Sequence, residues 1–155
     1  MVLAGVVASM AGCGTPGAPQ PPSLNLPDKV TDLSALRTGN QVALQWTMPR
    51  RNTDNLLLTS DMTVRVCRQD GASGCVDAGK PLQLAPGASG NFTDALPAEE
   101  TVGSARVLRY FVELKNRNSR SAGLSNAAVV LAGAPPAAVE GLAAVVRKSG
   151  VVVHW

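Results

Sequence analysis

Residues 27–46 read PDKVTDLSALRTGNQVALQW, and residues 136–155 read PAAVEGLAAVVRKSGVVVHW, so the two stretches align without a gap. At a constant offset of 109, Pro27, Val30, Leu33, Ala35, Val42 and Trp46 meet Pro136, Val139, Leu142, Ala144, Val151 and Trp155. Self-similarity at a fixed spacing marks a tandem array, and about 100 residues is the size of a whole domain. The expectation is one complete unit over residues 27–133, then the opening of a second over residues 134–155. Within the repeat, Val42, Leu44 and Trp46 alternate with Ala43, Gln45 and Thr47, and Val151, Val153 and Trp155 alternate with Val152 and His154. A period of two is the pattern of a strand with one buried face. Val30, Leu33 and Leu36, spaced by three, taken alone suggest a short helix. The repeat argues against it, because in both copies that spacing leads straight into the alternating strand.

Working outward, residues 62–68 alternate again, with Met62, Val64 and Val66 against Thr63, Arg65 and Cys67. Residues 108–116 set Tyr110, Val112 and Leu114 against Phe111, Glu113 and Lys115. Weaker strands are expected at residues 80–84 and 91–96, and a last one at 124–131. Residues 132–136, AGAPP, read as a hinge. The composition agrees: 15 Gly and 11 Pro among 155 residues favour many short strands joined by turns. Hydrophobic residues make up 45% but aromatics only 3%, so the core must be mostly Val, Leu and Ala. About seven short strands in this span predict an all-β fold, an antiparallel immunoglobulin-like sandwich.

The residues also resemble a known family, the fibronectin type III domain. The matching elements are Pro27 with the Val30-x-x-Leu33-x-Ala35 opening, then Val42-x-Leu44-x-Trp46-x-x-Pro49, then Tyr110-x-Val112-x-Leu114 with Asn118, and the Ser125-Asn126 exit. The resemblance covers residues 27–131, and residues 136–155 repeat its first two strands. It implies that Trp46 packs at the centre of the core and that Tyr110 anchors the sixth strand. The third strand carries Met62 and Val64 where that family has a tyrosine, and the connections 48–61 and 97–105 are longer than usual. A generic immunoglobulin-like sandwich is the alternative.

Residues 1–12, MVLAGVVASMAG, carry no charge and precede Cys13. Twelve apolar or small residues are too few to span a bilayer and suit the h-region of a signal peptide. Met10-Ala11-Gly12-Cys13 resembles the lipobox of bacterial lipoproteins, which implies cleavage before Cys13 and acylation of its thiol. Residues 14–27, GTPGAPQPPSLNLP, hold five prolines and read as a polyproline-like tether. The division is therefore a signal peptide at 1–12, and a lipidated cysteine with its tether at 13–26. With Cys13 acylated, two of the three cysteines remain, and Cys67 and Cys75 are expected to pair across a turn in an oxidising compartment. Two unpaired thiols on neighbouring strands are the alternative.

No catalytic constellation emerges. His154 is the only histidine, and its alternation with Val153 and Trp155 points it to an outer face. Neither a Ser/His/Asp nor a Cys/His arrangement can then form in the complete unit, and no zinc-ligand spacing occurs. Asp94, Glu99 and Glu100, beside Pro97, read as solvated carboxylates of a turn. The Gly-Ala-Ser-Gly tetrapeptides at 71–74 and 87–90 lack a following Gly-Lys-Ser/Thr and read as turns. No cofactor is implied. The balance of 14 basic and 11 acidic residues gives +3, a mild bias with no nucleic-acid footprint. Arg50 and Arg51 follow the Trp46 strand, while Lys115, Arg117 and Arg120 lie in the loop between the last two strands, a loop that fibronectin-like domains often use for recognition. Both loops are expected at one end of a sandwich, as a basic patch for anionic glycan, lipopolysaccharide or an acidic face of an envelope protein; loops kept soluble by their charges are the alternative.

These resemblances together imply a cell-envelope lipoprotein, held at the outer membrane through Cys13, acting as a non-catalytic spacer or interaction module. Gly14 after the cysteine, rather than Asp, resembles lipoproteins exported to that membrane. Two other readings stand beside it. The chain is the accessory region of an extracellular hydrolase whose catalytic domain lies beyond Trp155, or it is an adhesin or assembly factor that adds a strand at an open edge.

Overall fold

The computed structural model describes residues 23–135 and 139–155. The signal segment, Cys13 and the tether up to residue 22 lie outside the described residues. The strands are β1 (Ser34–Thr38), β2 (Gln41–Thr47), β3 (Met62–Asp70), β4 (Val76–Asp77), β5 (Leu82–Leu84), β6 (Ser89–Ala95), β7 (Arg106–Lys115) and β8 (Ala128–Ala132). A hairpin of β9 (Ala143–Arg147) and β10 (Gly150–His154) follows, and a single 3-10 turn, Ala98–Glu100, lies between β6 and β7. All pairings are antiparallel. One sheet has the order β1-β2-β6; the other runs β4-β3-β7-β8, with β5 also on β3. The fold is all-β and sandwich-like. No helix among the described residues is long and apolar enough to cross a membrane.

The alternation read from the sequence is the alternation of burial. Val42, Leu44 and Trp46 of β2 face Met62, Val64 and Val66 of β3 and Leu108, Tyr110, Val112 and Leu114 of β7 in one core. Each fully buried Val or Leu contributes roughly 1.5–3 kcal/mol. Val30 and Leu33 join that core ahead of β1. Leu36, by contrast, lies on the outer face at 69% exposure, and the partly buried Ala35 packs against the core in its place.

Three elements differ from expectation. The two-residue β4 adds a strand to the seven counted, carried along β3 by the link between Cys67 and Cys75. The last strand starts at Ala128 rather than 124. Ser125 has already spent its polar groups on β7: its N–H donates to Val112 O, and its hydroxyl accepts the Val112 N–H at 2.9 Å. Asn126 then crosses to the other sheet, accepting from Leu33 N–H at 3.0 Å and donating to Leu33 O at 2.9 Å.

Nor is the hinge as long as its composition implies. Ala132 belongs to β8, Gly133 N–H donates to Glu100 O, and Ala134 N–H donates to Gly103 O. The Arg37 guanidinium donates to both Leu131 O and Gly133 O. Gly133 sits at φ +101, where an added Cβ would lie 2.6 Å from Ser104 O. The chain is therefore held through Ala134.

The repeat extends to strand register. In β1–β2, Ser34 pairs with Gln45 and Thr38 with Gln41. In β9–β10, Ala143 pairs with His154 and Arg147 with Gly150, so every pair is shifted by 109. Side chains equivalent to core residues nevertheless face outward in this hairpin: Val151 is 61% exposed, and Trp155 82%, against 4% for Trp46.

Candidate functional site

The loops 48–61 and 115–123 do share one end of the sandwich, and two asparagines shape them. Asn52 is buried; its Oδ1 accepts the N–H groups of Asp54 and Leu56 at 3.0 and 2.8 Å. Asn116 does the same in the other loop, its Oδ1 accepting from Asn118 and Arg120 at 2.9 and 3.0 Å. Such side chains stand in for the backbone of a turn. Their amide nitrogens then grip one segment of chain. Asn52 Nδ2 donates to Asn25 Oδ1 at 2.9 Å, and Asn116 Nδ2 donates to Leu24 O and Asn25 O, each at 3.1 Å. Thr53 N–H donates to Leu26 O and Asp28 N–H to Arg51 O, so the segment 24–28 lies against both loops. Sequence reasoning overlooked both asparagines; the signal is Asn among the turn-forming residues of RNTDN and KNRNSR.

That segment divides the expected basic patch. Arg50 and Arg51 line a cleft with Asp28, Lys29, Asp32 and Ala122. The Arg50 side chain leans over Gly87, and Arg51 Nη1 donates to Asn55 O at 2.7 Å. Arg117 lines a second cleft with Asn25 and Asp61. Lys115 turns toward Glu113 at 3.8 Å, and Arg120 is exposed. Cations and carboxylates are interspersed here. Asp32 accepts the Thr47 N–H at 3.0 Å, and this hydrogen bond, with one from the Thr47 side chain, holds its carboxyl below the usual range.

The carboxylates expected to be solvated are not, apart from Glu99. Asp94, on β6, is 3% exposed and reaches into the core between the sheets. Its Oδ2 accepts from Arg68 Nη1 at 2.5 Å and from the Tyr110 hydroxyl at 2.6 Å. Arg68 and Tyr110 lie opposite each other on β3 and β7, so one oxygen ties the two sheets together. Burial, then the hydrogen bond to Asp94 and its charge, pushes the Tyr110 phenol far above its ordinary value and keeps it protonated. Glu100 is also buried and accepts from Arg106 Nη2 at 2.7 Å, while Arg106 Nε donates to Asp70. These ion pairs join side chains of different strands and turns.

Cys67 and Cys75 form a disulfide, with Cα atoms 5.5 Å apart. The turn between them closes through Ser73, whose N–H and hydroxyl both donate to Asp70 O. A loop this short stabilises by roughly 2.5 kcal/mol. The double variant Cys67→Ala, Cys75→Ala is expected to lose about that much in urea unfolding, with β4 the first strand to lose amide-exchange protection.

His154 lies exposed on the β9–β10 hairpin. No group of three or more His, Cys, Asp or Glu with metal-binding geometry occurs among the described residues. The tetrapeptide 71–74 is a turn, but Gly90 of the second lies in β6 beneath Trp46. No family model matches the chain, and no curated protein matches it either.

Proposed function

We propose that this chain is a bacterial cell-envelope lipoprotein, acylated at Cys13, whose fibronectin type III-like units are non-catalytic spacer and interaction modules. The repeated hairpin carries this reading. Two segments 109 residues apart pair in the same register, as expected of modules strung along one chain. The sheet order supports the fibronectin-like choice over a constant-type immunoglobulin domain, because the strands between β3 and β6 pair with β3 rather than joining β2 and β6. A disulfide fits an oxidising compartment outside the cytoplasm.

Spacing and surface contact are what such a chain offers. Its patterned residues fill a core, and its buried charges are consumed in holding sheets and turns together. Partners would be envelope proteins or anionic polymers met by the loop end. Cys13→Ser is expected to move the protein from the membrane pellet to the soluble fraction. Intact-mass analysis of the membrane form should find two acyl chains on the Cys13 thiol side and a third on the new amino terminus. Retention of the Cys13→Ser protein in the pellet would refute the anchor.

A further inference from the structure

The same end of the sandwich carries both the loops and the chain that leads back to Cys13. Segment 24–28 is fixed there by Asn52, Thr53 and Asn116. Nine residues separate Cys13 from Ser23, so covalent geometry holds Ser23 within about 35 Å of the acylated sulfur. Around the fixed segment stand Lys29, Arg50, Arg51, Arg117 and Arg120, none of which forms an ion pair among the described residues. Resting on the lipoprotein reading above, we propose that this end docks on the anionic phospholipid surface into which the Cys13 acyl chains insert. The body of the sandwich then projects away from the membrane, with the exit at Ala134 leading outward.

The electrostatics are modest and sufficient. Five cations at this end face the four carboxylates of Asp28, Asp32, Asp54 and Asp61. A net single charge near an anionic leaflet shifts the docked population by roughly fivefold. Such an attraction would not recruit a soluble domain. A tethered one needs no recruitment, because the tether keeps the surface at high effective concentration; the charge only selects which end faces it.

The test is amide exchange of the full lipidated chain on vesicles of phosphatidylcholine alone and on vesicles that include phosphatidylglycerol. Residues 50–57 and 116–121 are expected to exchange roughly fivefold more slowly on the anionic vesicles. The difference should vanish in molar salt, where screening acts within about 3 Å. It should vanish equally in the triple variant Arg50→Gln, Arg117→Gln, Arg120→Gln. Protein that floats with both vesicle types while these loops exchange alike overturns the docking and leaves the anchor intact. Protein that floats with neither overturns the anchor, and the docking with it.

Discussion

Asp94→Ala is expected to lower the free energy of unfolding by about 3–5 kcal/mol, a large share of the roughly 5–15 kcal/mol that such a domain possesses. The loss comes from what the substitution leaves behind. The Arg68 side chain is only 14% exposed, and without Asp94 its charge stays buried with no compensating anion. The Tyr110 hydroxyl, fully buried, loses its acceptor at the same time. Urea unfolding should show the midpoint falling with the slope unchanged. Asp94→Asn keeps an acceptor for Tyr110 and should cost less. The triple variant Arg68→Met, Asp94→Leu, Tyr110→Phe should recover most of the stability, because it strands no polar group. If the single and triple variants lost equal amounts, packing rather than charge would be what Asp94 provides.

This cluster marks where the sequence stops being legible. A strand such as β2 announces itself, because Val42, Leu44 and Trp46 sit two apart and their burial depends only on that spacing. The same holds for β3 and β7, whose inward residues are those the alternation names. Asp94 alternates correctly too, falling on the inner face of β6. Its partners, however, lie 26 and 16 residues away in Arg68 and Tyr110, and a sequence shows no such pairing. Without them a carboxylate beside Pro97 reads as a solvated turn residue. Arg68 is the matching case at the other end of the contact.

The loop end divides in the same way. The positions of Arg50, Arg51, Lys115, Arg117 and Arg120 on two loops at one end follow from strand order alone. That segment 24–28 runs between them does not, because it depends on hydrogen bonds from Asn52 and Asn116 across about 27 and 91 residues. Local propensity likewise misplaces the start of β8, where Ser125 and Asn126 replace backbone pairing by side-chain pairing. Wherever a side chain does the work of a peptide group, periodicity is silent.

Trp46→Ala should cost about 3–5 kcal/mol, and the contact beneath the ring makes the cost testable in a second way. The indole lies flat across Gly90 on the neighbouring strand β6, the residue paired with Trp46 in register. A Cβ at Gly90 would stand 2.0 Å from Trp46 Cε2 and 2.3 Å from Nε1. The glycine is thus required by the tryptophan rather than by its own backbone. Gly90→Ala must displace the ring, whose indole N–H donates to the Met48 sulfur at 3.3 Å. Overpacking of this kind costs about 1–3 kcal/mol. With the ring removed, the obstacle disappears. Gly90→Ala in a Trp46→Ala background should therefore be nearly neutral, or slightly stabilising, because alanine suits a strand better than glycine. A thermodynamic cycle of the four proteins should give a coupling of at least about 1 kcal/mol. Additive losses would mean that the indole does not rest on Gly90. A Trp46→Ala protein with an unchanged midpoint would remove the residue from the core altogether.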